Sequence, residues 1–167
     1  MSRLLPLLLL FMTLAGCGFS PMYGADRAGG PRPAAALADI AIEPGADELS
    51  QELGDRLARG IAHGGAGGGV YALRLDASEN IDGFAFRDDR AVTRERVQIE
   101  VDMTLVEAAT GRVLLTERMS GGSSYDIVQS DFANVATRRD ARERAADQLV
   151  DRIAARLARY FSRTDGD

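Results

Sequence analysis

Three kinds of side chain in this sequence could do chemistry: one thiol, one imidazole and a large set of guanidinium groups. Cys17 is the only cysteine, His63 the only histidine, and all 20 basic residues are arginines. A hydrolytic triad needs a nucleophile, a base and an orienting acid, and a histidine-rich metal site needs several imidazoles. His63 alone supplies neither, and reads as the C-terminal end of a helix. The run Gly64-Gly65-Ala66-Gly67-Gly68-Gly69 follows a helix pattern and precedes a strand, the reverse of a phosphate loop, and lacks the Gly-Lys-Ser/Thr ending. Gly121-Gly122-Ser123-Ser124-Tyr125 has a tyrosine where a nucleophile elbow has its second glycine. The expectation is no enzyme: no catalytic residue, no metal and no bound cofactor. Anion chemistry is better represented. Arg87, Arg90, Arg94 and Arg96 bunch around one turn, and guanidinium forks grip phosphate in bidentate fashion. Asp88, Asp89 and Glu95 are interleaved, so the same stretch also reads as an ordinary charged, solvated hairpin end.

The thiol has a different setting. Met1-Ser2-Arg3 leads into Leu4 to Leu14, an apolar run broken only by Pro6 and Thr13, and then Leu14-Ala15-Gly16-Cys17. The run is about 11 residues, whereas a bilayer-spanning helix needs about 20, so it reads as a secretory signal. Small residues followed directly by a thiol resemble the bacterial lipoprotein box. That resemblance implies removal of residues 1–16, a diacylglycerol on Cys17 and an acyl chain on its new amino group. Each buried methylene contributes roughly 0.8 kcal/mol and one chain alone holds marginally, so three chains tether permanently.

Composition narrows the rest. The 167 residues are 46% hydrophobic, enough for one domain with a modest core. Loss of Arg3 with the signal takes the basic count from 20 to 19 against 25 acidic residues, a formal charge of −6, which disfavours nucleic acid. With its one cysteine lipidated, the fold must be held by packing alone.

The elements follow from periodicity. Residues 17–36, rich in Gly, Pro and Ala, read as a flexible tether whose roughly 15 residues of coil reach about 20 Å. Phe19, Met22 and Tyr23 interrupt it, and either dip into the membrane interface, dock on a partner or hang loose. Residues 37–163 read as one α+β domain. Leu37 to Ile42 predicts a first strand, and Leu49, Leu53, Leu57 and Ile61, capped by Asp47, a helix. Val70 to Ala77 predicts a second strand, followed by a strand end and charged turn over 80–94. Val97, Ile99, Val101, Met103 and Leu105 alternate with Arg96, Gln98, Glu100, Asp102 and Thr104, the clearest strand in the chain. Arg112 to Met119 pairs with it across Ala108-Ala109-Thr110-Gly111, and Gly121-Gly122 predicts a bulge before Tyr125. Ala141, Ala145, Leu149, Ile153, Leu157 and Phe161 mark a final helix from Asp131 to about Ser162, its arginines and acids largely facing outward. A second helix start at Thr137-Arg138-Arg139-Asp140 stays open. The order β-α-β-β-β-α predicts a four-stranded, mostly antiparallel sheet with two helices packed on one face. The other face carries Arg94, Arg96, Gln98, Glu100 and Asp102, left to meet water, a partner or a ligand.

The ordered set of Cys17-Gly18-Phe19 with Pro21-Met22-Tyr23-Gly24, Thr110-Gly111, Ser124-Tyr125-Asp126, and Phe132-Ala133 running into Arg139-Asp140-Ala141 resembles the LPS-assembly lipoprotein family, LptE, in its alphaproteobacterial form. The resemblance implies a non-enzymatic outer-membrane lipoprotein that sits as a plug inside the LPS-translocon β-barrel LptD, helps it assemble and handles LPS. Gly18, rather than Asp, is compatible with sorting to the outer membrane. LPS binding by family members would suit Arg87, Arg90, Arg94 and Arg96. Two other readings remain: another periplasm-facing lipoprotein, such as a cell-wall synthase activator or barrel-assembly component, and a lipid-anchored hydrolase using Ser123 or Ser124.

Overall fold

In the computed structural model, the described residues are 33–61, 69–86 and 92–164. Helix α1 (Pro33–Ala38) leads into strand β1 (Ile40–Pro44), helix α2 (Glu48–Ile61), strands β2 (Tyr71–Phe86), β3 (Val92–Glu107) and β4 (Val113–Asp126), and helix α3 (Asp131–Thr164). The sheet order is β1-β2-β3-β4, with β1 parallel to β2 and the other pairs antiparallel. This is the expected α+β fold, a mostly antiparallel four-stranded sheet with its helices on one face, and a short α1 added.

Local chemistry explains each element. Asp47 caps α2 by accepting the Ser50 N–H at 2.8 Å. Leu53, Leu57 and Ile61, one helical turn apart, are buried against the sheet. Ser50 is fully buried, and its hydroxyl accepts the Ala77 N–H at 2.8 Å. That bond matters because β1 ends opposite Leu75, leaving Ala77 without a strand partner on that side. The parallel β1–β2 pair needs a crossover, and α2 provides it.

Leu73 and Leu75 on β2, and Val97, Ile99, Val101, Met103 and Leu105 on β3, share the helix-facing side and are almost fully buried. Arg94, Arg96, Gln98, Glu100 and Asp102 alternate with them on the open side, as the period of two requires. The β3–β4 turn closes at Gly111, whose φ of 68° suits a residue without a side chain.

α3 is one helix of 34 residues, about 50 Å long at 1.5 Å per residue. The Thr137 hydroxyl donates to the Ala133 carbonyl at 2.9 Å, so Thr137 sits inside the helix and starts no second one. Ala141, Ala145, Leu149, Ile153, Leu157 and Phe161 are all buried, as their spacing predicts. Among the described residues no helix is long and apolar enough to cross a membrane.

Three expectations need correction. Residues 33–38 are helical and β1 begins at Ile40, not Leu37; proline at the first helical position and a run of alanines favour the helix. β2 does not end near Ala77 but runs to Phe86; its distal half reads as polar because it extends past the end of β1. Gly121-Gly122 makes no bulge, since β4 is paired with β3 without a register shift there; the shift lies at Leu105/Val106. A Cβ at Gly121 would stand 2.5 Å from the Ala145 carbonyl oxygen and 3.0 Å from Leu149 Cβ, so this glycine lets α3 lie against the strand.

The α3 arginines are mostly exposed, as expected, and several of them also reach back to the sheet or to α2. Arg142 bonds Glu79 and Glu52, each at 2.7 Å, Arg156 bonds Glu117 at 2.6 Å, and Arg152 donates to the Ser120 carbonyl at 2.7 Å. Arg56 adds to this network by bonding Glu52 and Asp147. Burial alone would raise the Glu52 carboxyl, but the hydrogen bonds from Arg142 and Arg56 outweigh it and hold the group below its ordinary value.

Gly121→Ala is expected to lower stability by about 1–3 kcal/mol, because helix backbone must move. Gly122→Ala meets only the movable Arg96 side chain and should stay within about 0.5 kcal/mol; urea denaturation of both variants checks the contrast. Glu52 stabilises the fold above the ordinary glutamate range, and that contribution is lost as pH falls through its lowered folded value. Arg142→Met should therefore flatten the stability-versus-pH curve on the acid side.

Candidate functional site

The strands define two ends. At the tip, β2 ends at Phe86, β3 begins at Val92, β4 ends at Asp126 and α3 begins at Asp131. The base holds β1, the β3–β4 turn and the C-terminus of α3. Of the four arginines singled out in the sequence, Arg94 and Arg96 lie two residues apart on β3, exposed on the open face near the tip. Arg87, Arg90 and Cys17 lie outside the described residues, as does His63.

The two placed arginines are not equivalent. Arg94 Nε donates to Asp126 Oδ1 at 2.6 Å across the β3–β4 pair, and this bond holds the Asp126 carboxyl below the usual carboxylate range. Arg94 is thus already opposed by a charge. Arg96 lies over Gly122, where an added Cβ would come within 2.9 Å of its Nε, and it makes no ion pair among the described residues. The absent side chain at 122 leaves room for the guanidinium to rest on the strand. Farther along the same face Arg118 and Asp102 bond twice, both at 2.7 Å, so the middle of the open face is internally neutralised.

On the helix side of the tip, Tyr125 is buried and donates its hydroxyl to Glu95, while Arg138 Nε donates to that hydroxyl at 2.7 Å. Arg138 also sits 5.9 Å from the ring centroid, within cation–π range. The Asn134 side chain bonds both the N–H and C=O of Val128, at 2.9 and 2.8 Å, fixing the turn from β4 into α3. Burial and the neighbouring Glu95 push the Tyr125 phenol up, against the opposing pull of Arg138.

This scaffold leaves apolar side chains uncovered. Phe132 is 86% exposed and Val135 68%, with Val128 beside them in sequence also exposed. The sequence contains a signal for this, because Phe132 and Val135 fall off the stripe that continues backward from Ala145 and Ala141 through Thr137. The tip therefore combines, on the open face, a cation with no ion pair among the described residues, although Asp82 is its cross-strand neighbour, with uncovered hydrocarbon on the first turns of α3. Such a surface can engage a ligand or partner that carries both anionic and apolar groups.

Ser123 and Ser124 do not form a reacting pair. They point to opposite faces of β4, and the Ser123 hydroxyl accepts from Arg144 Nε at 3.1 Å. Among the described residues, no group of three or more His, Cys, Asp or Glu side chains is placed to hold a metal.

Comparison with known proteins adds the family context. A sequence model described as LptE, lipopolysaccharide-assembly, matches residues 37–157. A putative lipoprotein from Caulobacter crescentus is similar in structure, with a TM-score of 0.62 at 21% identity, covering 78% of this chain and 96% of that one. An uncharacterized lipoprotein B from Nitrosomonas europaea gives a TM-score of 0.64 at 12% identity, covering 83% and 93%. At these identities the structural likeness establishes the fold alone. Comparison with curated protein sequences finds no match.

The described triad makes a spectroscopic prediction. In an ultraviolet pH titration of the four tyrosines, one should ionise above the ordinary phenol value of about 10, and Tyr125→Phe should remove that late component.

Proposed function

The chain belongs to the LptE lipopolysaccharide-assembly family, and from that premise we propose that it works in LPS assembly as a non-enzymatic lipoprotein held in the outer membrane by acyl chains on Cys17. In this reading it forms a complex with the LPS-translocon β-barrel LptD, as plug and assembly partner, and contacts LPS directly. Its domain then lies on the periplasmic side of the outer membrane or within the barrel lumen.

The observation that carries the ligand part of the reading is the composition of the tip. LPS is an amphiphile with phosphorylated sugars and several acyl chains. Arg96, with Arg87 and Arg90 nearby in sequence, supplies cations suited to phosphate, and Phe132 and Val135 supply apolar surface. Arg94 contributes less than its position suggests, because Asp126 opposes it. The open sheet face, polar and laced with ion pairs, suits a wet interface such as a barrel lumen.

Affinity purification of the lipidated protein from detergent-solubilised outer membrane, with a high-salt wash, tests the complex. A stoichiometric large β-barrel is expected; recovery of cell-wall synthases instead would refute the assignment. For the ligand, Arg96→Glu should weaken LPS binding to the purified protein several-fold, and Asp126→Asn, which releases Arg94, should strengthen it. Equal binding by both variants would remove the tip from LPS handling.

A further inference from the structure

At the base, away from the arginines, lies a cavity of about 270 Å³ between α1, the start of β2, the β3–β4 turn and the last turns of α3. Its wall is largely aromatic and aliphatic, with Tyr71, Tyr160, Phe161 and Leu114, and α1 contributes Ala35 and Ala36, with Asp39 just after it. Tyr71 and Phe161 pack with ring centroids 5.0 Å apart, and Tyr160 meets Phe161 edge-on at 5.3 Å. An ion pair between Arg112 and Glu107, 3.6 Å, lines the polar side. Val70, also in the wall, is 49% exposed.

We propose that the stretch Phe19–Tyr23 of this same chain docks in the base cavity. Three observations select this occupant. First, the described chain begins at Pro33 and Ala35 and Ala36 line the cavity, so the preceding residues join within three residues of its wall. Second, only nine residues separate Tyr23 from Pro33, and at most about 3.3–3.6 Å per residue they span some 30 Å, ample for the chain to turn back; Gly29-Gly30-Pro31 supplies turn chemistry for the reversal. Third, Phe19, Met22 and Tyr23 are the large apolar side chains between Cys17 and α1, in a stretch otherwise made of small, proline and polar residues.

Size and chemistry agree with side chains as the occupant. The cavity is smaller than typical small-molecule sites of about 300–1,000 Å³. An entering ring would extend the Tyr71–Phe161–Tyr160 cluster in offset or edge-on contact, and the Met22 thioether suits an aromatic wall.

Docking shortens the leash. With Phe19 seated, Cys17 lies two residues from the base, within about 7 Å of chain, in place of the roughly 20 Å reach of a free coil. Strands β2 and β3 are about 50 Å long at 3.3 Å per residue, so the arginine-bearing tip then points away from the leaflet that holds the anchor. The docking itself stands without the lipid; this consequence rests on acylation of Cys17 as proposed above.

The test is hydrogen–deuterium exchange by mass spectrometry on the full lipidated protein in detergent, compared with a variant carrying Phe19→Ala, Met22→Ala and Tyr23→Ala. These positions lie outside the described residues, and unchanged protection over 97–105 will verify that the variant is folded. The expected result is about tenfold faster exchange in the variant at 35–39 and 108–114, which border the cavity. Equal exchange there in both proteins overturns the proposal, whatever else covers the cavity. The mass of the N-terminal peptide reports acylation separately, so failure of the lipid reading and failure of docking are distinguishable.

Discussion

The seat of α3 on β4 at Gly121 is the constraint on which the rest of the molecule depends. The Ala145 carbonyl of the helix passes so near the strand that a Cβ at 121 would be 2.5 Å from it. Such an approach needs small residues on both sides, and Ala141, Ala145 and Ala146 provide them on the helix. Close contact over several turns keeps one 34-residue helix parallel to the hairpin sheet, where it buries Val97, Ile99 and Val101. Packing at interior density requires that match, since a gap of even a fraction of an ångström forfeits dispersion contacts. With α2 and α3 on one face, no described helix covers the other.

The arginines complete that arrangement at the rim. Glu79, Glu95 and Glu117 sit on the helix-facing side of their strands, where a carboxylate needs a partner, and Arg142, Arg138 and Arg156 of α3 meet them. Individually such half-exposed pairs contribute little. Together they specify how far along the sheet the helix sits, because a slip of one turn would separate all three pairs. Arg152 on the Ser120 carbonyl also occupies part of the open edge of β4, one of the devices by which an edge strand is kept from pairing with another chain.

The two ends of the sheet differ in what they leave unsatisfied. The base has an aromatic cavity near the place where the described chain begins, and the tip has uncovered Phe132 and Val135 with Arg96, which makes no ion pair among the described residues. The domain is therefore chemically unlike at its two ends.

Periodicity alone determined much of this protein. The stripe Leu49 to Ile61, the alternation from Val97 to Leu105 and the stripe Ala141 to Phe161 each declare which residues are buried, because a helix or strand repeats its facing geometry every few residues. Those stripes, in their order, were sufficient for the sheet and the helices on one face. They could not reveal α1, which is too short to show a period, nor the role of Gly121, whose reason lies in a helix backbone more than twenty residues away. The unity of α3 was also undecided, because a threonine that bonds back to the preceding turn has the same letter as one that caps. The arginine group shows the limit most clearly. Local sequence places Arg94 and Arg96 on one face, but only the register of β4 against β3 puts Asp126 opposite Arg94 and a bare glycine beneath Arg96. Which charge stays available is a property of cross-strand neighbours, and those are chosen by tertiary packing.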